Sequence, residues 1–327
     1  MNIHDVKVAF AGVSHWHVPL YFPAMSAGQV QAVSDPDENI AGKFASQLNC
    51  RCYTDWQKML DEVKPDFVFA FAPHNLMKDM ALNLIERRIP FAIEKPMGLN
   101  AGEAAEILKA AEEAKAFCAI PFVWRYSDTV AKLKESILKT KIIHMQYRFI
   151  AGPPSRYLAS SKWMLSSETA GGGCMTNLGV HFIDMALYLT GSKSADVLSS
   201  VYQYGHEYDI EIYASSLLKM DTGASLAIET GYAYPMDGVN KRENHWCIVT
   251  EDGYYTLADN FLEAREFGKE AVKIPLNTDS DVYYPKFAEA TLDDFINGRK
   301  PRASATEMLV VRKILDGMNE AAGRRQL

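Results

Sequence analysis

Two groups of residues in this sequence could do chemistry. The first is Lys95, set between Glu94 and Pro96 directly after the apolar run Phe91–Ile93. A lysine at the end of a buried strand is half desolvated, which lowers its pKa and suits it to proton transfer or to polarising a carbonyl. The second is Asn177, His181, Asp184 and Tyr188, which follow Gly171-Gly172-Gly173. On a helix these fall at i, i+4, i+7 and i+11, one polar stripe beside the apolar stripe of Leu178, Phe182, Met185 and Leu189. Such a face is expected to aim an amide, an imidazole and a carboxylate into a cleft between domains.

The elements that position Lys95 follow from the first third of the chain. Strands are expected at Val6–Phe10, Val30–Val33, Asp66–Phe71, Phe91–Ile93 and Phe117–Ile120. Helices are expected at Pro19–Ala27, Asn39–Leu48, Trp56–Val63, Leu76–Arg87 and Ala101–Lys115. This alternation predicts parallel βαβ units and a doubly wound α/β Rossmann domain over residues 1–122. Gly12-Val13-Ser14-His15-Trp16-His17 leaves the first strand where a dinucleotide loop would lie, with Ser14 and His17 at positions where glycines are usual. Asp35 ends the second strand, where an acidic side chain accepts hydrogen bonds from both ribose hydroxyls and repels a 2′-phosphate. NAD is therefore expected, and NADP disfavoured. Gly12 to Trp16, Asp35, Ala72-Pro73-His74 and Glu94-Lys95 are the expected cofactor contacts. The histidine pair His15 and His17 lacks nearby carboxylate or thiolate partners, so no metal is expected there.

The pattern changes after Trp124-Arg125-Tyr126. A helix at Asp128–Lys139, a strand at Ile142–Ile150 and a helix at Met175–Leu189 precede strands near Ser199–His206, Ile210–Met220, Ser225–Thr230, Asn244–Thr250 and Tyr254–Ala258. Tight turns join some of them, so residues 123–327 are expected to form an α+β domain on a large, mostly antiparallel open sheet. Helices at Pro285–Asn297 and Ala305–Ala322 close the chain and are expected to pack back on the first domain. Trp124, Arg125, Tyr157 and Trp163 are candidates to line a substrate pocket, with loops near 152–169 and 232–245 shaping it.

Composition excludes other classes. The formal charge of −7 is spread along the chain without a basic stripe, which argues against nucleic acid. No run approaches the roughly 18 apolar residues that span a bilayer. The start runs into a strand pattern without a signal layout, and the five cysteines are read as reduced thiols, which points to the cytoplasm.

With these residues in view, the chain resembles the Gfo/Idh/MocA family of oxidoreductases. The resemblance rests on the first-strand loop, Asp35, Ala72-Pro73, Glu94-Lys95-Pro96, Trp124-Arg125-Tyr126, the triple-glycine helix with His181 and Asp184, and the last helix. It implies a nicotinamide cofactor on the Rossmann half and a sugar, cyclitol or related polyol over the sheet domain. It also implies Lys95 and His181 as catalytic residues, a cis peptide before Pro96, and a homodimer or homotetramer through the sheet. Asn177 stands where the family commonly has Asp. A carboxylate there would stabilise protonated His181 by about 1–4 kcal/mol at a separation of about 4 Å, whereas Asn orients a hydroxyl or the imidazole without charge. Secondary-hydroxyl dehydrogenation is the expected activity. The alternatives are a non-catalytic NAD- or sugar-sensing protein and an NAD-dependent glycoside cleavage with transient oxidation.

Overall fold

The computed structural model describes residues 2–236, 241–258 and 260–324, and divides into two compact units. The first holds residues 1–121, 159–163 and 281–309; the second holds 122–158, 164–280 and 310–327.

In the first unit, β1 (Val8–Ala11), α1 (Val18–Tyr21), β2 (Val30–Ser34), α2 (Glu38–Leu48), β3 (Arg51–Tyr53), α3 (Trp56–Val63), β4 (Phe67–Ala70), α4 (Met77–Glu86), β5 (Phe91–Ile93), α5 (Ala101–Ala114) and β6 (Cys118–Ala119) alternate. The strands pair in parallel in the order β3-β2-β1-β4-β5-β6, the doubly wound arrangement whose switch point lies between β1 and β4. Every residue of β1, β4 and β5 is buried, as a sheet covered on both faces requires. Phe10 stacks on Phe69 and Phe71, and Tyr21 meets both of those rings edge-on, so an aromatic cluster fills the space beside β1.

The second unit contains α6 (Asp128–Ile137), β7 (Ile142–Ala151), α7 (Ser167–Ala170), α8 (Val180–Thr190), β8 (Ala195–Tyr204), β9 (Glu211–Met220), β10 (Ser225–Gly231), β11 (Arg242–Thr250), β12 (Gly253–Ala258), β13 (Phe261–Glu266) and β14 (Val272–Pro275). Its sheet runs β14-β13-β12-β11-β7-β10-β9-β8, antiparallel throughout except where β10 lies parallel to β7. Phe182 of α8 packs on Tyr147, Phe149 and Trp246, which makes that face of the sheet the core.

Helix α9 (Tyr284–Ile296) belongs to the first unit, and α10 (Ala305–Ala321) starts there and continues into the second. The helix expected from Met175 is not regular. Met175–Gly179 form a π-helical turn, and the α-helix begins only at Val180. The widened turn breaks the i, i+4 wheel between Asn177 and His181. Among the described residues, no helix is long and apolar enough to cross a membrane.

Candidate functional site

The first unit builds a pocket at the carboxyl ends of β1, β2 and β4. Gly12 turns with φ of +82°, and a Cβ there would sit 1.6 Å from the Phe71 carbonyl oxygen. Only glycine tolerates both that dihedral and that approach. The Gly12 and Val13 N–H groups donate to the Ser34 carbonyl at 2.8 and 3.1 Å. Ser14 N–H donates to Asp35 Oδ2 at 2.7 Å and Asp37 N–H to Asp35 Oδ1 at 3.1 Å. Asp35 thus ties the loop to β2, while Asp37 caps α2. Each Asp35 oxygen keeps a second lone pair for another donor. Gly12, Ser14, His15, Asp35, Ala72, Pro73 and Trp163 are among the residues around a cavity of ≈ 580 Å³, within the size range of a small-molecule site.

His17, where a glycine was expected, is accommodated by a buried network. Its Nδ1 lies 3.0 Å from Glu94 Oε1, Tyr21 hydroxyl donates to the same oxygen at 3.0 Å, and the Tyr284 hydroxyl is 2.9 Å from His17 Nε2. Glu94 therefore anchors the loop. The histidine pair does have a carboxylate neighbour: candidate ligand atoms of His15, His17 and Glu94 lie within 4.8 Å of one another. The bonds that His15 Nδ1 makes to His17 N–H (3.1 Å) and that His17 makes to Glu94 account for this grouping without an ion. Lys95 follows at 2% exposure, ahead of a cis Lys95–Pro96 peptide.

His15 is buried, and burial, followed by the charge of His17, holds its pKa well below 6.5. The folded protein keeps His15 neutral, while the unfolded chain takes up a proton as pH falls below about 6.5, so acid favours unfolding through this residue. The wild type is expected to lose up to about 1.4 kcal/mol more per pH unit below pH 6 than His15→Gln. Urea unfolding at several pH values checks this, and parallel pH slopes would contradict it.

The second unit holds the other group. Asn177, on the π turn, donates its two amide hydrogens to the hydroxyls of Tyr157 and Tyr232, each at 2.9 Å. Burial and the neighbouring Tyr157 push the Tyr232 phenol well above its ordinary pKa. The glycines before the turn are sterically required. A Cβ on Gly173 would lie 2.0 Å from the Glu211 carbonyl oxygen, and Gly172 has φ of +153°. Glu211 accepts from Met175 N–H at 3.1 Å and pairs with Arg324 at 3.1 Å, which fixes the turn against β9. His181 is half-buried, with Phe122 edge-on at 6.5 Å.

Several expected pocket residues have other employment. Trp124 is buried in the core of the second unit, 4.6 Å from the Trp246 ring centre. Arg125 grips Asp184 with a fork of 3.0 and 2.6 Å, and its guanidinium lies 4.8 Å from the Tyr188 ring centre. Asp184 and Tyr188 therefore leave the polar stripe to serve Arg125. Trp163 lies in the first unit against His15 and His74. Arg156 and Tyr232, which lie in the two expected pocket loops but were not singled out, gather with Tyr157 around Asn177. The signals for Tyr232 were an aromatic just past the end of β10 and its place at the start of the loop over 232–245. Of the loop over 232–245, residues 237–240 lie outside the described ones.

Residues 6–122 match the family described as oxidoreductase, NAD-binding Rossmann fold, and residues 136–256 match the Gfo/Idh/MocA C-terminal domain. Among curated proteins, the rhizopine catabolism protein MocA of Rhizobium meliloti is 24% identical over 90% of this chain and 88% of its own length. A levoglucosan dehydrogenase of Pseudarthrobacter phenanthrenivorans is 23% identical over 60% of this chain and about half (52%) of its own. A solved levoglucosan dehydrogenase in complex with NADH and levoglucosan superposes with a TM-score of 0.83 at 16% identity, covering 97% of both chains, a likeness of fold. With both halves matched in order and the loop, lysine and triple-glycine turn in place, the chain belongs to the Gfo/Idh/MocA family of NAD-binding oxidoreductases.

Proposed function

We propose that the protein is an NAD-dependent dehydrogenase that oxidises a secondary hydroxyl of a sugar, sugar derivative or cyclitol. The observation that carries this reading is Lys95, a buried lysine two residues beyond the carboxyl end of β5, where open parallel sheets bind their ligands. The names of the relatives, a levoglucosan dehydrogenase among them, support the same chemistry.

The residues fit the cofactor: Gly12 permits close backbone approach, Asp35 offers acceptor lone pairs to a ribose, and His15, Trp16, Ala72, Pro73 and His74 would complete the contacts. When bound, the nicotinamide supplies the acceptor for the substrate's hydride. His181 takes the hydroxyl proton in its neutral form, and Lys95 stabilises the alkoxide that develops on that oxygen. Asn177 binds a neighbouring hydroxyl, with Tyr157 beside it. Trp163 joins the cofactor side of this scheme. Pairing of two copies through the outer face of the eight-stranded sheet is supported by Val201, Leu217, Tyr254 and Phe261, exposed on β8, β9, β12 and β13.

A panel of sugars, sugar acids and cyclitols, assayed with NAD and with NADP by absorbance of the reduced cofactor, tests the assignment. NAD is expected to be preferred, and Asp35→Ser is expected to cut that preference at least tenfold. A wild-type preference for NADP would refute the role given to Asp35.

A further inference from the structure

Arg156 sits on the short turn Pro154–Tyr157 beside the residues proposed above to hold the substrate. Its guanidinium carbon lies 4.6 Å from the Tyr157 ring centre and 5.1 Å from that of Tyr232, and Nη2 donates to the Tyr157 hydroxyl at 2.5 Å. Nε is buried with no hydrogen-bond partner among the described residues. The six other arginines described in the second unit each face a carboxylate at 3.5 Å or less. Arg156, half-buried, faces two phenol rings, and no carboxylate of the described residues comes within ion-pair distance.

Ring faces attract a cation but do not neutralise it, and a partly desolvated guanidinium without a counter-charge is unfavourable. The same two phenols are fixed by the amide of Asn177. The arginine is thus held rigidly, by groups that leave its charge unbalanced, at the amide expected to read a substrate hydroxyl. Planar guanidinium donors match a carboxylate bidentately.

We propose that Arg156 is a specificity-determining residue for an anionic sugar, and that the physiological substrate carries a carboxylate, as a uronic or aldonic acid does. One unbalanced positive charge matches a monoanionic carboxylate better than a phosphate dianion. The proposal rests on the reading of Asn177 as a substrate contact, and deepens it by naming the substrate class.

Calorimetric titration of the protein–NAD complex with D-glucuronate, D-gluconate, D-glucose and a hexose phosphate tests this without turnover. At least one acid is expected to bind tenfold or more tighter than glucose and tighter than the phosphate. In Arg156→Met the acid-to-glucose affinity ratio should fall about 10–100-fold, the range of one charged hydrogen bond, with Arg156→Lys between the two. Two results would overturn the proposal: equal affinity of wild type for acids and glucose, or equal losses for both in Arg156→Met while NAD affinity is kept. A phosphate bound tighter than either acid would assign Arg156 to phosphate and refute the carboxylate. Because binding is read directly, a protein that binds acids through Arg156 yet reduces no cofactor would refute the dehydrogenase reading alone.

Discussion

Replacing Lys95 with methionine is expected to lower kcat by about 10²–10⁴-fold, the usual contribution of a positioned acid–base group. Methionine keeps the apolar stem that fills the buried position, so the loss isolates the ammonium group. NAD affinity should change by a few-fold at most, because Glu94, His17, Tyr21 and Tyr284 anchor the loop. Initial rates with the best substrate, beside NAD titrations of the same preparations, separate the two effects. Turnover within a few-fold of wild type would remove Lys95 from the chemistry.

The largest effect on stability is expected at Asp184. Arg125 and Asp184 are 7% and 1% exposed and share a two-bond fork. Asp184→Ala leaves a buried guanidinium without its counter-charge, which costs about 3–5 kcal/mol. Arg125→Ala strands the carboxylate and should cost a similar amount. The double variant Arg125→Met/Asp184→Leu is expected to recover much of the loss, since an apolar pair of similar volume avoids desolvating two charges. Urea unfolding of the four proteins measures the coupling. Two single losses that simply add in the double variant would contradict it.

The doubly wound, parallel character of the first unit was legible because most of its strands are short apolar runs separated by helices with clear ends. The place of Asp35 at the end of β2 was legible because strand end and loop spacing are local properties. What Glu94 does was not, since its partners His17 and Tyr21 lie far back in the chain and Tyr284, which meets His17, lies near its end, so that only the fold assembles the network. Trp124 and Arg125 read as pocket residues because aromatic and guanidinium side chains suit a sugar. Their burial against Trp246 and Asp184 depends on α8 crossing the sheet. The π turn at Met175–Gly179 escaped a wheel of 3.6 residues per turn, and with it went the true neighbours of Asn177. Strands β13 and β14 were missed because alternating charges in Phe261–Glu266 and a short, exposed Val272–Pro275 carry little apolar signal.

The central claim is that this chain oxidises a polyol with NAD as acceptor. The most direct test mixes the protein–NAD complex with the sugar, sugar-acid and cyclitol panel and follows nicotinamide absorbance through a single turnover, in wild type and in Lys95→Met. Reduced cofactor is expected to accumulate and leave the wild-type protein with at least one substrate, and to form far more slowly in the variant. Absorbance that rises and then decays within one turnover would instead indicate transient oxidation during bond cleavage. Tight binding of NAD and sugar with no reduction at all would contradict the account and leave a sensing protein.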